Sequence, residues 1–201
     1  METNATLLPA FPDPVTDAQA AFRTIMRAMA EPGQPVTLEA AIEVPEPLSA
    51  SAGAIALSLC DVDTAVWLDE ELAAAAPVVE WLTFHTGAQL THDPAASDFA
   101  FVSAPQTMPP LSAFAEGTPD YPDRSTTVVM QVHAWSGVNV VLSGPGIRTQ
   151  VAFAAAPLHD DFWQRARENH ARFPLGVDLL FTTRDEIAGL PRSTRINGEG
   201  E

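Results

Sequence analysis

Residues 125–147 read STTVVMQVHAWSGVNVVLSGPGI and contain the clearest β-strand pattern in the chain. Side chains alternate in character from Ser125 to Trp135, and a second apolar run follows at Val138–Leu142, as expected for two strands. Ser136-Gly137 between them is typical of a two-residue hairpin turn. We therefore predict a β-sheet region in which these two strands pair.

Helical and strand patterns interleave on both sides of this stretch. Helical periods predict helices, and short apolar runs between turn signals predict strands. The predicted helices cover about 16–30, 48–60, 77–86 and 158–171, and the predicted strands cover 64–68, 98–103, 150–154 and 177–182. A Thr183-x-x-Glu186 capping box predicts a short last helix. This alternation indicates an α/β fold with a mixed sheet covered by helices.

The length and the absence of a linker favour one domain. A chain of 201 residues can bury one good core, and no Ser/Gly-rich or charged block divides it. We assign residues 1–195 to this domain and expect residues 196–201 to form a flexible acidic tail. The proline-rich segment 104–124 is interpreted as an extended surface loop.

The charge and residue counts exclude several functions. A net charge of −16 makes nucleic acid and membranes poor partners. All ten basic residues are arginines, so there is no lysine for a P-loop or for a Schiff base to pyridoxal phosphate. Cys60 is the single cysteine, which excludes internal disulfides and multi-cysteine metal sites. The amino terminus has no signal-peptide pattern, and we expect a cytoplasmic protein.

The glycines of Leu142–Ile147 (LSGPGI) raise the question of a phosphate-binding loop. A P-loop needs a lysine, and a dinucleotide loop needs a following helix, whereas the residues after Ile147 have a β pattern. Pro145 followed by Gly146 suits the two central positions of a type II turn. We favour the turn and keep phosphate binding as the alternative.

No catalytic or metal-binding constellation stands out. The five histidines do not form H-x-H or H-x-x-x-H pairs, so we predict no metal site and interpret His85 as a helix-end residue and Cys60 as a core residue. Hydroxyl groups and arginines beside one another could still hold an anion. The candidate anion-binding residues are Ser143, Gly144, Gly146, Arg148, Arg124, Ser125 and Arg192.

Six stretches in order along the chain together resemble the PhnH family, a subunit of the bacterial carbon–phosphorus lyase machinery for phosphonate use. They are DPVTDAQAAFRTIMRAMAEPG (13–33), WLTFHTGA (81–88), EGTPDYPDRSTT (116–127), LSGPGI (142–147), FPLGVDLLF (173–181) and LPRSTR (190–195). Each stretch alone is a weak signal. Their combination and order are specific.

The resemblance implies a subunit of a complex that uses ATP and an alkylphosphonate to form ribose 1-alkylphosphonate 5-triphosphate, with the carbon–phosphorus bond cleaved later by a radical iron–sulfur subunit. It implies a three-layer α/β/α sandwich similar to pyridoxal-phosphate-dependent transferases, without that cofactor. It supplies no catalytic residue for this chain. One cysteine cannot hold an iron–sulfur cluster, so the radical chemistry belongs to a partner.

Two functional hypotheses follow. The first is an accessory subunit that the ribose-phosphonate-forming complex requires but that houses no chemistry. The alternative is a stand-alone phosphonate- or nucleotide-binding protein or transferase, which would use the candidate anion-binding residues. Isolated protein should ignore ATP and methylphosphonate under the first hypothesis and bind at least one of them under the second.

The apolar content of the chain predicts self-association. Apolar residues make up 46% of the sequence, and a subunit of a complex keeps an apolar contact surface that two free copies can cover by two-fold symmetry. We expect a homodimer when the chain is isolated, with segment 104–124 in the contact and partly reused by the other lyase core subunits. The acidic residues should lie outside the centre of this contact.

Overall fold

A computed structural model of the chain describes residues 7–199 and is an α/β fold with a mixed sheet, as predicted. The helices in this range are α1 (Pro14–Ala30), α2 (Ala50–Leu59), α3 (Glu70–Ala74), α4 (Ala76–Thr86) and α5 (Phe162–Ala171). The strands in this range are β1 (Val36–Thr37), β2 (Ala65–Leu68), β3 (Gln89–Thr91), β4 (Phe99–Val102), β5 (Thr127–Gln131), β6 (Val140–Ser143), β7 (Val151–Phe153), β8 (Asp178–Thr182), β9 (Glu186–Leu190) and β10 (Arg195–Glu199).

Seven strands form the larger sheet, in the order β1-β9-β8-β5-β4-β2-β3. Strands β8, β5, β4, β2 and β3 run parallel, and β9 returns antiparallel to β8. Because these five adjacent strands share one direction, their carboxyl ends meet at one edge of the sheet and their amino ends at the other. We call these the carboxyl edge and the amino edge.

Alternate residues of the central strands pack on opposite faces of this sheet. Phe101, Val129 and Leu180 pack in a core with α1, α2 and α4. Their neighbours Val128 and Met130 pack on the other face, in a core with α5 and the buried side of strands β6 and β7. Burial on both faces explains why the strands are continuous apolar runs. The likeness of this layering to a three-layer sandwich of the transferase type stays a prediction.

The predicted hairpin between β5 and β6 is wrong. Strand β5 pairs with β4 and β8 in the larger sheet, whereas β6 pairs with β7 and β10 in a separate three-stranded sheet. Gly137 does turn the chain, with φ of +103°, but the turn leads from one sheet to the other. Both strands of the pattern are real, and only their pairing was misassigned.

The carboxyl-terminal part of the chain contains more strand than predicted. Residues Glu186–Leu190 form β9, so the predicted last helix is wrong. The Thr183 hydroxyl does accept from the Glu186 amide, at 3.1 Å, but the bond closes the tight turn between β8 and β9. Residues 196–199 of the predicted tail belong to β10, and the last two residues of that tail lie outside the described range.

Segment 104–124 is less exposed than a surface loop. Its apolar side chains Met108, Leu111 and Phe114 are buried in the core that contains α5, and only residues 118–121 and 123–124 of its second half are exposed.

The first helix begins as its sequence favours, because the Asp13 carboxylate accepts from the Val15 and Thr16 amides. These hydrogen bonds lower the pKa of Asp13. Within residues 7–199, no helix has the length and apolar character needed to cross a bilayer.

Candidate functional site

An open cleft of about 980 Å³ lies at the carboxyl edge of the larger sheet. Its lining includes residues that lie one to three positions after the ends of four parallel strands: Glu71 after β2, Ser103 after β4, His133 after β5 and Arg184 after β8. In open α/β sheets, this crevice outside the carboxyl ends of the strands is the usual place for a ligand. The cleft is therefore the candidate functional site.

One side of the cleft is the amino end of α2. Ser49 caps this helix, and its hydroxyl accepts from the Ala52 amide at 3.2 Å. Gln131, at the end of β5, fixes the approach to the helix, because its side-chain carbonyl accepts from the Ser49 amide and its amide donates to the Pro47 carbonyl. The Ser51 hydroxyl donates to the Arg184 carbonyl at 2.9 Å. These bonds hold helix α2 against the ends of β5 and β8.

The charges around the cleft are mixed. Arg184 is exposed and forms no ion pair among the described residues. Glu43, Glu46 and Glu71 line the same cleft. The positive end of the α2 dipole and the Arg184 guanidinium favour an anion on one side, while the carboxylates oppose one on the other.

Asp69 organises the opposite wall of the cleft. It directly follows β2, is buried, and accepts from the amides of Ser103 and Ala104 at 2.6 and 2.9 Å. It also accepts from the Leu72 amide at 3.0 Å, which caps α3. These hydrogen bonds fix the end of β4, where Ser103 and Glu71 line the cleft.

The cleft has no catalytic constellation of a familiar type. The Ser103 hydroxyl donates to the Glu71 carboxylate at 3.2 Å, in addition to its bonds with the buried Asp69. Within residues 7–199, no three side chains of His, Cys, Asp or Glu are grouped closely enough to hold a metal ion. The arrangement can bind a small polar molecule, and the Ser103 hydroxyl, which donates to Asp69 and Glu71, is the hydroxyl with adjacent carboxylates that this cleft presents.

The LSGPGI stretch forms the predicted type II turn. Gly146 has φ of +80°, and the Ile147 amide donates to the Gly144 carbonyl at 3.1 Å. A Cβ atom on Gly146 would lie 2.0 Å from the Ala30 carbonyl oxygen, so the turn packs directly on the carboxyl end of α1. That end of a helix is negative and disfavours an anion. Phosphate binding by Ser143, Gly144, Gly146 and Arg148 therefore stays a prediction that this environment opposes.

Arg192 lies at the amino edge, away from the cleft, and its donors are used within the chain. Its guanidinium binds both oxygens of Asp178, at 3.2 and 2.6 Å, and donates to the Pro122 carbonyl at 2.6 Å. Its backbone amide donates to Asp178 as well, at 2.8 Å. The side chain is only 13% exposed. We interpret Arg192 as a structural anchor rather than a residue that waits for an anion.

The remaining candidate anion-binding residues do not gather at one point. Arg124 lies over the ring of Tyr121, 4.3 Å from its centre, and Ser125 forms a β-bridge with Glu116. Arg148 is exposed on the chain after the turn. Ser143 is beside Arg195 in the β6–β10 pair, so two of the family-like stretches do meet there. None of the candidate residues lines the cleft.

Sequence reasoning missed the residues of the cleft. Gln131, Arg184 and Ser103 carry no motif, and single polar residues after apolar runs are common. One signal was available for Ser103 and Arg184, because they stand at or just after the ends of the predicted strands 98–103 and 177–182, and parallel strands bring such positions together. Gln131 lay inside the predicted strand 125–135, which is longer than β5. That signal needed the strand directions, and the predicted hairpin gave β5 the wrong neighbour.

His85 and Cys60 have the structural roles that we favoured. The ring of His85 contacts the Leu8 carbonyl at 2.9 Å and packs edge-on against Trp81. Cys60 is buried, and burial raises the pKa of its thiol to about 12, with the charges of Asp61 and Asp98 adding to the shift. A thiol with so high a pKa is not a nucleophile at neutral pH.

Comparison with known proteins gives consistent results over almost the whole chain. Residues 9–197 match the family described as bacterial phosphonate metabolism protein (PhnH). A protein of Rhizobium meliloti (strain 1021), named alpha-D-ribose 1-methylphosphonate 5-triphosphate synthase subunit PhnH, is 42% identical over 94% of this chain and 95% of its own length. A putative C-P lyase subunit protein of Stutzerimonas stutzeri, HtxG, is 38% identical over 42% of this chain and 44% of its own length.

Proposed function

We propose that this chain, which belongs to the PhnH family of bacterial phosphonate metabolism proteins, is an accessory subunit of a ribose 1-methylphosphonate 5-triphosphate synthase. The observation that carries the proposal is the identity of 42% to a subunit of that name, spread over 94% of the chain. In this role the chain belongs to the carbon–phosphorus lyase core complex of the cytoplasm. The other subunits supply the reacting groups that join ribose, from ATP, to the phosphonate.

The chemistry of the described residues supports an accessory role. Among residues 7–199 the ionisable side chains are anchored in pairs and caps or stand at the surface, and the one buried thiol is protonated at neutral pH. Transfer of a ribosyl group to a phosphonate needs an activated nucleophile and a stabilised leaving group. Apart from the Ser103 hydroxyl beside Asp69 and Glu71, no such group stands out among residues 7–199, which supports a subunit that the complex needs for assembly.

Reconstitution tests this proposal. The other subunits of the synthase are purified with and without this chain and are supplied with ATP and methylphosphonate, and the ribose 1-methylphosphonate 5-triphosphate formed is measured by ³¹P NMR. We expect no product without the chain and recovery of product when it is added back. Full activity in its absence would refute the proposal, and product from the isolated chain would refute the accessory role.

The cleft favours a second candidate function, a phosphonate- or nucleotide-binding protein. The amino end of α2 and the exposed guanidinium of Arg184 meet at the edge where α/β proteins hold ligands. Calorimetric titration of the isolated chain with ATP and with methylphosphonate distinguishes the two candidates. An accessory subunit ignores both ligands, whereas a binding protein takes up one of them and loses affinity in the Arg184→Gln variant.

We propose that isolated copies form a homodimer through the outer face of α1. Val15, Phe22 and Met26 lie on one stripe of this helix and are 68%, 46% and 50% exposed. Two copies of an apolar stripe cover each other by two-fold symmetry, and few acidic groups interrupt this one. Sedimentation over a dilution series should show a dimer that becomes monomeric in the Phe22→Arg variant, while Phe84→Arg on α4 leaves it intact. A monomer at every accessible concentration would refute self-association.

We also propose that the fold is related to pyridoxal-phosphate-dependent transferases and has lost the cofactor. Five adjacent parallel strands with helices on both faces of the sheet support the relationship, and the absence of lysine from the sequence removes the group that would form the aldimine. Incubation with pyridoxal phosphate and borohydride should give no reduced adduct in the protein. A stoichiometric adduct would refute the loss of the cofactor.

A further inference from the structure

Two exposed aromatic residues lie on neighbouring loops at the amino edge. Tyr121 is 52% exposed and Phe173 is 57% exposed. Each precedes a proline whose carbonyl accepts a hydrogen bond from the same nitrogen of Arg192, at 2.6 Å for Pro122 and 3.5 Å for Pro174. One guanidinium therefore holds the loops of both aromatic residues side by side. We call Tyr121 and Phe173 the aromatic patch.

The loop that carries Tyr121 is internally bonded. Thr118 and Tyr121 exchange two backbone hydrogen bonds, both of 3.1 Å, and the Thr118 hydroxyl accepts from the Tyr121 amide as well. At Gly117, with φ of +77°, a Cβ atom would lie 2.7 Å from the Pro122 carbonyl oxygen, so the loop closes tightly on itself. Its base is joined by the bridge between Glu116 and Ser125.

This rigidity matters for binding. A side chain held in place before binding loses little conformational entropy when a partner covers it. Tyrosine has a large rigid surface and is enriched at the centres of protein interfaces, as is arginine. Arg124 stacks on the Tyr121 ring at 4.3 Å and holds it further. The aromatic patch therefore has the composition and the preorganisation of a protein-binding hot spot.

The charges around the patch indicate the kind of partner. Asp120 and Asp123 flank Tyr121, are exposed and form no ion pair among the described residues. The two ion pairs nearby, Arg172 with Glu116 and Arg192 with Asp178, are each neutral as a unit. The Arg124 cation on the Tyr121 ring offsets only one of the two aspartates. In a chain of net charge −16, a second copy placed here would bring like charges together. A basic partner surface is favoured instead.

We propose that the aromatic patch docks this chain onto another subunit of the synthase, one that presents an apolar socket with a basic rim. The proposal rests on the proposed function, since it names the surface by which the accessory subunit joins its complex. It also separates the partner contact from the dimer contact on α1. Segment 104–124 then takes part in assembly through its exposed end and not through its buried apolar residues.

Affinity measurements on the complex test the patch. Full-length chain is titrated onto the complex of the other subunits by biolayer interferometry. We expect a loss of affinity of at least about 10-fold for Tyr121→Ala and more for the double variant Tyr121→Ala/Phe173→Ala, since truncation of a hot-spot residue has effects of this size. Tyr121→Phe keeps the ring and should stay within about 3-fold. Phe84→Ala, an exposed aromatic residue on α4, is the matched control and should bind as the unchanged chain does.

Charge reversal supplies an independent readout that does not depend on the aromatic side chains. The double variant Asp120→Arg/Asp123→Arg, changed at two exposed positions, should associate more slowly with the complex. The difference should shrink as salt is raised, because salt screens the long-range attraction to a basic rim. Circular dichroism confirms that each variant is folded before it is titrated. If the unchanged chain does not bind the other subunits, the proposed function fails.

Other outcomes overturn the patch alone. Folded aromatic and charge variants that bind as tightly as the unchanged chain would refute it. Variants that become monomeric and still bind the complex normally would show that the patch takes a second copy.

Discussion

At the amino edge of the larger sheet, Arg192 and Asp178 use their polar atoms on each other and on neighbouring backbone groups, whereas at the carboxyl edge Gln131 and Arg184 border an open cleft. The first edge is closed by hydrogen bonds that leave little for a ligand. The second has polar groups within reach of water. The same strands supply both edges, so the difference comes from the loops that follow and precede them.

This contrast bears on the stretches that resemble the family. Three of them, 116–127, 173–181 and 190–195, meet at the amino edge around Arg192, where Pro122, Pro174 and Asp178 are its partners. Their hydrogen bonds give these stretches a structural role. A motif that identifies a family can therefore mark the framework that holds a surface, while the cleft that could hold a ligand carries no motif.

The largest expected effect is at the closed edge. Replacing Arg192 by methionine leaves the Asp178 carboxylate without its cationic partner and removes the donor to the Pro122 carbonyl. Because both side chains are mostly buried, we expect the free energy of unfolding to fall by about 2 to 3 kcal/mol, measured by urea unfolding. The control Arg195→Met, at an exposed position, should change it by less than about 0.5 kcal/mol. Equal effects of the two substitutions would contradict the anchoring role.

Substitution of Gly146 tests a different kind of contact, the packing of the turn on the carboxyl end of α1. Gly146→Ala places a side chain at φ of +80° and drives it into the Ala30 carbonyl, so we expect a loss of about 2 kcal/mol in unfolding free energy. Ser143→Ala removes one exposed hydrogen bond, from Asn197, and should cost under about 1 kcal/mol. A Gly146→Ala variant as stable as the original would show that α1 is not packed on the turn.

Most of the helices and strands could be predicted from periodicity, but their pairing could not. The Thr183-x-x-Glu186 pattern favoured a helix because the same hydroxyl-to-amide bond occurs at a helix start and in a tight turn. What decides between them is the partner strand: residues 187–190 pair with β8 across 179–182. Ser136-Gly137 misled for the same reason, because the central position of β5 is set by β4 and β8.

The turn at Gly146 could be predicted because its chemistry is local. Proline fixes one dihedral angle and glycine permits the next, whatever the rest of the chain does. The cleft could not be predicted because Gln131, Ser103 and Arg184 become neighbours only when strands distant in sequence lie parallel. The family resemblance carried by six stretches is confirmed, yet those stretches give no information on which edge is open.

A matched pair of amide side chains compares the two edges directly. Gln131 accepts from the Ser49 amide and donates to the Pro47 carbonyl beside the cleft, and buried Asn169 does the same with both groups of Val177 at the amino edge, at 2.9 Å each. If Gln131 is removed, water from the cleft can bond to the Ser49 amide and the Pro47 carbonyl. Water does not reach the buried backbone groups of Val177 that Asn169 binds. We expect Gln131→Ala to cost about 1 kcal/mol in unfolding free energy and Asn169→Ala about 2 kcal/mol. A reversed order would mean that the cleft is closed to water.

The smallest effect expected is the pH dependence contributed by Cys60, which follows α2 at the closed edge. Burial raises the pKa of this thiol to about 12, while a thiol in the unfolded chain ionises near pH 8.5. Below that pH both states are protonated and Cys60 adds no pH dependence. As the pH rises from about 8.5 towards 12, only the unfolded state loses its proton, so the folded state becomes less stable. At pH 9 the expected loss is about 0.8 kcal/mol relative to neutral pH.

The sequence suits this measurement, because it has no lysine and one tyrosine to titrate in the same range. Urea unfolding at pH 7.5 and pH 9 should show the loss in the unchanged chain and not in Cys60→Ala. An equal change in both proteins would mean that the amino edge admits water to the thiol, and the contrast between the two edges would then not extend to Cys60.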